Sequence, residues 1–361
     1  MAERPRVVVA MSGGVDSSLA AALLVEQGYE CLGVTLKVWP SYLPAEAGEG
    51  GCCGLGAVED ARAVASKLGI PHYVLNFSEL FSRLVVEPFC QAYLAGRTPN
   101  PCILCNREVK WRALLHKAEE LGAECLATGH YARRGFDPTN RRHTLRRGVD
   151  PGKDQSYVLY SLTQEQLAAT LFPVGGLRKS EVRQMAAERG LPVATKADSQ
   201  EICFIPDGDY RSFLRTRVPE AVRPGPLLDV EGREVGRHGG LAFYTVGQRK
   251  GLGLAGGPFY VVGLDAARNA VIVGRRADLY RAELVAVDVN WVSIPPPPAP
   301  LNAAVKIRYR IPPAPAELLP EGEERVRVRF HKPQPAVTPG QAVVFYHDDL
   351  VLGGGTIAHL P

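Results

Sequence analysis

Ser12-Gly13-Gly14-Val15-Asp16-Ser17-Ser18 is the stretch that decides the fold of this chain. It follows Val7-Val8-Val9-Ala10-Met11, an apolar run that reads as a buried parallel strand. It leads into Leu19-Ala20-Ala21-Ala22-Leu23-Leu24-Val25, which reads as a helix. A strand, a tight glycine turn and a helix N-terminus together make an anion cradle. Glycines let the backbone come close to a ligand, N–H groups of the first helical turn point at it, and serine hydroxyls add donors. The loop carries no lysine, so it is not the G-x-x-x-x-G-K-S/T phosphate loop.

A Gly-Gly turn with a Ser or Asp cap is common, and the two glycines alone would say little. The full string S-G-G-V-D-S-S resembles the pyrophosphate-loop ATPases, which cleave ATP between the α and β phosphates. The pattern around it suits such a fold. Up to about residue 205, apolar strand-like runs (7–11, 31–38, 72–75 and 125–128) alternate with helical periodicity (18–27, 58–68, 80–94, 108–121 and 180–189). That alternation predicts an α/β domain built on an open, doubly wound parallel sheet, with ligands beyond the carboxyl ends of the strands. After Phe204-Ile205-Pro206 glycine and proline become frequent and clear helices disappear. Short β-like runs at 259–263 and 270–274 predict a small β-rich central domain. Pro295 to Pro298 read as a stiff connection. Runs at 303–310, 325–330, 342–346 and 353–359 predict a C-terminal β-barrel or sandwich. The expected division is 1–207, 208–280 and 281–361.

At 361 residues the chain is long enough for several domains, each with its own core. No apolar run approaches the ~20 residues of a membrane span. Residues 1–6 leave no room for a secretion signal before the first strand, so the reading expects a cytoplasmic protein without membrane contact. Net charge is only +4. Its distribution says more: Arg133, Arg134, Arg141, Arg142, Arg146, Arg147 and Lys153 share one stretch, and Lys306, Arg308 and Arg310, then Arg325, Arg327 and Arg329, alternate with apolar or aromatic residues. On strands, each alternating set would share one face. Each set alone reads equally as a solvated strand face. Three together suggest a polyanion larger than a nucleotide.

All eight cysteines lie at or before Cys203. That distribution does not suit a disulfide scaffold and points to reactive thiols or metal ligands. Cys102 and Cys105 form a C-x-x-C in Gly96-Arg97-Thr98-Pro99-Asn100-Pro101-Cys102-Ile103-Leu104-Cys105-Asn106, just ahead of the helix predicted over 108–121. A helix N-terminus stabilises a thiolate. The spacing alone leaves a redox pair, half of a zinc site and cluster ligands open. Cys203 lies between Ile202 and Phe204, which taken alone suits a core cysteine. Cys52 and Cys53 lack metal-site spacing, and packing is their default role.

These motifs, with Ala127-Thr128-Gly129-His130-Tyr131, Lys153-Asp154-Gln155-Ser156-Tyr157, Asp198 to Phe204 and Tyr244-Thr245-Val246-Gly247-Gln248-Arg249-Lys250-Gly251, resemble the tRNA-specific 2-thiouridylase (MnmA) family over nearly the whole length. The resemblance implies an ATP- and Mg2+-dependent sulfurtransferase that replaces the C2 oxygen of the wobble uridine (U34) of certain tRNAs with sulfur. It implies ATP binding by Ala10, Met11, Ser12, Gly13, Gly14, Val15, Asp16 and Ser17, helped by the backbone at Leu36 and Gly129. Asn100, Pro101 and Cys102 face the target base. His130, Lys153, Asp154, Gln155, Arg308, Tyr309 and Gln341 contact tRNA. Cys105 is the nucleophile, Cys203 carries sulfur as a persulfide, and the two close a disulfide when sulfur is released. A sulfur-donor protein is an implied partner, as is the anticodon loop, whose unpaired bases are cheap to extract.

One position departs from the family. Members often carry Asp where this chain has Cys102, and that Asp has been assigned an acid/base role. A thiol titrates several units higher and cannot simply take it over. Cys102, Cys105 and Cys203 instead make a three-thiolate set of the kind related tRNA thiolases use to hold a 4Fe–4S cluster with one open iron. The cluster version and the persulfide version both stay open at this point. Two other readings compete: a pyrophosphate-loop ligase that adenylates a small metabolite, which would not need Cys105 and Cys203, and a non-catalytic RNA-binding or sulfur-carrying protein.

Overall fold

The computed structural model describes residues 4–39, 55–198, 202–205 and 207–358. Cys52 and Cys53, and the 199–201 portion of the third motif, lie outside the described residues. The opening strand β1 (Arg6–Ala10) is central in a parallel sheet with β2 (Glu30–Lys37), β3 (His72–Asn76), β4 (Cys125–Thr128) and β7 (Thr170–Leu171), in the order β3-β2-β1-β4-β7. From β1 the chain steps to one side, and from β3 it returns to pair on the other. The carboxyl ends of β1 and β4 therefore flank a topological switch point, where open α/β sheets bind ligands.

Strand alternation divides the core. Val7, Val9 and Ala127 face α1 (Val15–Glu26), α2 (Leu55–Leu68) and the helix Lys179–Glu188. Val8, Val34 and Leu126 face Trp111, Leu114 and Ala118 of the helical run 101–120. All nine of these strand and Trp/Leu/Ala positions are buried. Numbered in chain order, the helices that matter below are α3 (residues 78–94), α4 (residues 101–120) and α6 (Lys179–Glu188), with α5 (Gln164–Ala168) between the last two. Two corrections to the expected helices follow. The helix expected over 108–121 starts at Pro101, because Asn100 caps it and proline suits the first turn. Helix α7 (Tyr210–Arg217) continues helical structure past Pro206, capped by the Asp209 carboxylate on Arg211 N and Ser212 N.

A second sheet holds β8 (Gly225–Leu228), β9 (Glu234–His238), β10 (Tyr260–Asp265) and β11 (Ala270–Gly274) in the order β10-β11-β8-β9. The third unit comprises β12 (Tyr280–Asn290), β13 (Leu301–Lys306), β14 (Ala314–Pro320), β15 (Val326–Pro335), β16 (Ala342–His347) and β17 (Leu350–Ile357). These run β12-β15-β14-β13-β16-β17, and β12 also pairs with β17, which closes a six-stranded barrel. Closure leaves no edge inside the ring. A hairpin from the first part of the chain, β5 (Ala132–Asp137) and β6 (Arg142–Arg147), then attaches to the outside of β17 through Arg146↔Leu350 and Leu145↔Val351. The basic stretch 133–147 is thus a hairpin that extends the barrel sheet.

Many of the arginines are paired within the protein. Strand β13 ends at Lys306, so Arg308 and Arg310 do not share a strand face with it. Arg325, Arg327 and Arg329 pair with Glu321, Glu283 and Glu317 across neighbouring strands. In the hairpin, Arg133 and Arg146 hold Asp349, Arg142 donates to Trp291 O, Arg134 donates to Ala168 O, and Arg147 stacks 4.1 Å over the Tyr346 ring. The 325–329 set is thus paired with carboxylates, and the hairpin set is fastened to the barrel.

Candidate active site

The glycine loop is built as the sequence implies. Gly13 adopts φ +66°, and a Cβ there would meet Ala57 O at 2.2 Å, so only glycine fits. Gly14 is the N-cap of α1, with extended backbone and no side chain to cap it. The serines hold the turn: Ser12 N donates to Ser17 Oγ (3.1 Å), Ser17 Oγ to Gly14 O (3.2 Å) and Ser18 Oγ to Gly14 O (2.9 Å). Met11 O, at the mouth of the loop, accepts from Thr35 Oγ1 on β2 at 2.8 Å. Gly129, just past β4, lies so close to α1 that a Cβ would sit 2.5 Å from Ser17 N. Ala10, Met11, Val15 and Gly129 thus surround one helix N-terminus, and Leu36 ends the neighbouring strand.

Cations reach this loop from elsewhere. Asp16 accepts from Tyr131 Oη at 2.6 Å and from Lys179 Nζ at 2.7 and 2.9 Å. Lys196 Nζ donates to Gly13 O at 3.0 Å and pairs with Asp60. Asp198 takes Lys153, Lys179 and Arg183 at 2.7, 2.9 and 2.8 Å. Partial burial pushes the Asp198 carboxyl up, but hydrogen bonds from Lys153 and Lys179 outweigh it and hold the pKa at about 2. Lys179, Arg183 and Lys196 were not singled out from the sequence. They stand far from the loop along the chain, and the sole signal is their place in a helix and turn that follow β7.

The cysteine loop is braced from three sides. Asn100 Oδ1 accepts from Cys102 N (3.1 Å), which sets the start of α4 and places Cys102 and Cys105 one turn apart in it. Thr98 N donates to Pro339 O and Thr98 Oγ1 to Thr245 Oγ1, while Gln341 Nε2 donates to Thr98 O at 3.0 Å. The barrel and the central unit therefore both touch residues 98–100. Pro101 is buried and Cys102 exposed. Tyr309 lies beside this tip: burial pushes its hydroxyl up, followed by the nearby Asp154 and Cys102. Lys306 Nζ stands 5.5 Å over the Tyr309 ring, and the Tyr157 ring is 6.0 Å away.

Cys105 and Cys203 both pack, half-buried, against one apolar cluster that includes Phe81, Phe89, Val109 and Phe204. Phe204 is the anchor, edge-on to Phe81 and Phe89 at 5.7 and 5.2 Å. Residues from two separate motifs thus share one apolar cluster. Among the described residues no three His, Cys, Asp or Glu side chains form a group that could hold a metal ion.

Several of the other expected contact residues face inward. Asp154 Oδ1 accepts from Gly148 N and Ser156 N, and Gln155 Oε1 accepts from Tyr131 N. Arg308 Nη2 donates to Val246 O, Ala336 O and Thr338 Oγ1, tying the central unit to the barrel. His130 Nδ1 meets Thr128 Oγ1 at 2.8 Å, and its ring packs by Trp111 and Phe172. Burial, with Lys110 nearby, lowers the His130 pKa well below its usual value.

Three family profiles cover the chain: a "tRNA methyl transferase HUP domain" over residues 5–207, its "PRC-barrel domain" over 211–275, and an "Aminomethyltransferase beta-barrel domain" over 281–357. A "tRNA-specific 2-thiouridylase MnmA" of Moorella thermoacetica is 58% identical over 97% of this chain and 98% of its own. One of the same name from Heliobacterium modesticaldum is 57% identical over 97% and 92%. A solved "4-thiouridine synthetase - RNA complex with bound ATP" covers 60% of this chain and 51% of its own at 21% identity and TM-score 0.37, too slight a likeness to add to the assignment. A glycine cradle at the switch point of a parallel sheet, followed by two β units, defines an enzyme of the pyrophosphate-loop class. The chain belongs to the tRNA-specific 2-thiouridylase (MnmA) family, and it is a sulfurtransferase.

Proposed function

We propose that this chain replaces the C2 oxygen of a tRNA wobble uridine with sulfur in two stages, adenylation and then thiolation. The observation that supports the reading is the packing of Cys105 and Cys203 against one apolar cluster. An ATP-using ligase for a small metabolite has no need of two thiols joined from distant motifs.

In the first stage ATP lies in the cradle formed by residues 10–17, Leu36 and Gly129. The uridine O2 attacks the α phosphorus, the bond from that phosphorus to the bridging oxygen breaks, and pyrophosphate leaves. The carbonyl oxygen becomes part of a good leaving group. Mg2+ shares the charge of the phosphates when bound, and Asp16 is the carboxylate the loop offers it. In the second stage the terminal sulfur of a Cys203 persulfide attacks C2 and AMP departs. The Cys105 thiolate then attacks the Cys203 sulfur, leaving C2=S on the base and a Cys105–Cys203 disulfide. Two external thiols reduce that disulfide and leave as a disulfide of their own, and a donor protein's persulfide passes its outer sulfur to Cys203.

Asn100, Pro101 and Cys102, at the braced tip of α4, face the base. Tyr309 and Lys306 beside them offer a ring and a cation to it. His130, Lys153, Asp154, Gln155, Arg308 and Gln341 act on tRNA chiefly by shaping this rim, since their polar atoms already hold backbone groups or other side chains. The enzyme works in the cytoplasm, where tRNA and ATP meet. Since this route needs no metal on the thiols, protein purified anaerobically and free of iron and labile sulfide should be fully active; activity that tracks iron content would reverse the choice. The direct test is nucleoside mass spectrometry of tRNA incubated with ATP, Mg2+ and a persulfide donor. Cys203→Ser should abolish 2-thiouridine yet keep tRNA-dependent ATP–pyrophosphate exchange. Thiolation by that variant at the native rate refutes the persulfide role.

A further inference from the structure

His72 opens β3, two strands away from the glycine loop, and takes no part in the proposed reaction. Its ring lies over Gly33 of β2: a Cβ on Gly33 would meet His72 Cδ2 at 3.2 Å and the Met11 sulfur at 2.7 Å. Glycine inside a strand weakens it, and here it makes room for these two side chains. His72 Nε2 stands 2.9 Å from Thr35 Oγ1, which stands 2.8 Å from Met11 O. A carbonyl oxygen only accepts, so the hydroxyl proton points at Met11. The hydroxyl oxygen then accepts from His72, which fixes the ring proton on Nε2. The other ring nitrogen, Nδ1, is buried and has no partner among the described residues. A second proton there would be an unpaired buried donor, and burial, with Arg62 nearby, lowers the pKa of the ring. The bonds thus run in one direction, from a neutral His72 through Thr35 to Met11 O.

Met11 O is where the ladder between β1 and β2 stops. Met11 N donates to Val34 O at 2.8 Å, and the same parallel register would next bring Leu36 N to Met11 O. Among the described residues no backbone N–H reaches that oxygen, and the Thr35 hydroxyl takes the place of one. The next N–H along the chain, at Ser12, is held by Ser17 Oγ at 3.1 Å. The peptide between Met11 and Ser12 is therefore gripped at its oxygen from β2 and at its nitrogen from α1, just where strand turns into loop. We propose that Thr35 and His72 are positioning residues for the nucleotide: they fix this peptide at the entry of the cradle and, by occupying Met11 O, leave the Leu36 N–H to an acceptor on ATP. The inference rests on the ATP site proposed above, in which Leu36 lends its backbone. Neither side chain touches the reacting atoms; both act through Met11.

The test uses the full chain with Thr35→Val, Thr35→Ser, His72→Leu and His72→Gln. Calorimetry reads the binding of ATP, thermal melting reads stability, and thiolation kinetics read KM for ATP apart from kcat. Thr35→Val keeps the shape and removes the hydroxyl, and it should weaken ATP about fivefold or more. Thr35→Ser should restore most of the affinity. His72→Leu should weaken ATP to a smaller degree, and it carries the test if Thr35→Val does not fold. His72→Gln should recover the loss, because its amide nitrogen can donate from where Nε2 stood. In the weakened variants KM for ATP should rise by a larger factor than kcat falls. Lower melting with native ATP affinity in both Thr35→Val and His72→Leu would overturn the proposal, since that is the signature of a merely structural pair. A loss that Thr35→Ser and His72→Gln fail to recover would overturn it too. Gly13→Ala separates the two levels. Weak ATP binding in Gly13→Ala with native binding in Thr35→Val sinks this inference alone, whereas native binding in both removes ATP from the cradle and sinks the reading beneath it.

Discussion

Gly13 shows how much one residue carries. Its left-handed backbone disfavours alanine by about 1–2 kcal/mol, and a methyl group would also overlap the Ala57 carbonyl at 2.2 Å. Gly13→Ala should weaken ATP binding by about tenfold or more, measured by nucleotide titration, with the barrel's own melting little changed. Asp198 makes a prediction in pH. Its carboxyl titrates lower in the folded protein than in the unfolded chain, so the stability it contributes is full above the ordinary value of 3.8 and is lost as pH falls through about 2. Acid unfolding should show this component, worth about 2 kcal/mol, and Asp198→Asn should flatten it. At this scale the sequence was explicit about the glycines and serines, because a tight turn admits few residue types. It was silent about Lys179 and Lys196, because a cation that arrives from a distant helix leaves no local spacing to read.

Among the elements, α4 carries the cysteines, and its start was placed too late by periodicity alone. The apolar repeat becomes clear after residue 108, but the Asn100 cap and Pro101 start the helix a turn and more earlier. Cys102 and Cys105 thus sit inside the first turns and feel the helix dipole directly. The loop before them depends on Gln341, whose amide donates to Thr98 O from the barrel side. Gln341→Ala should lower the thiolation rate and leave ATP affinity unchanged; a parallel loss of ATP affinity would place Gln341 elsewhere in the cycle. Helix α7 escaped notice because its eight residues are shorter than the window over which a helical period can be read. The hairpin β5–β6 was hidden by its arginines, which look solvated in sequence yet are fixed by Asp349, Trp291 O and the Tyr346 ring.

Across the whole molecule, three units meet around residues 96–100. Gly96 packs against Leu264 and Leu241 of the central unit, and Thr98 is held from the barrel. The parallel sheet and the closed β unit were legible from alternation and from spaced β runs. The joints were not, because a joint is made by residues such as Arg308, whose three acceptors lie in two different units. Arg308→Ala should lower the melting temperature and reduce thiolation together, since it removes the hydrogen bonds that join the central unit to the barrel and leaves Val246 O without this donor. The basic face offered to tRNA is smaller than the arginine count suggests, as many of the cations are internally paired. Affinity for tRNA should still fall with salt, read as the slope of log affinity against log salt concentration. A flat response would mean that shape and stacking dominate.

The hairpin zipped onto β17 has a consequence for how the enzyme is born. Arg146 and Asp349 are neighbours in space but lie 203 positions apart in the chain. The ribosome releases β5 and β6 long before their partner strand exists, so for many seconds of synthesis they present a naked edge. Maturation therefore ends with a late zippering step rather than with the compaction of the nucleotide-binding half. A nascent chain stalled between these strands should bind nucleotide yet remain exposed to chaperones and proteases at the hairpin.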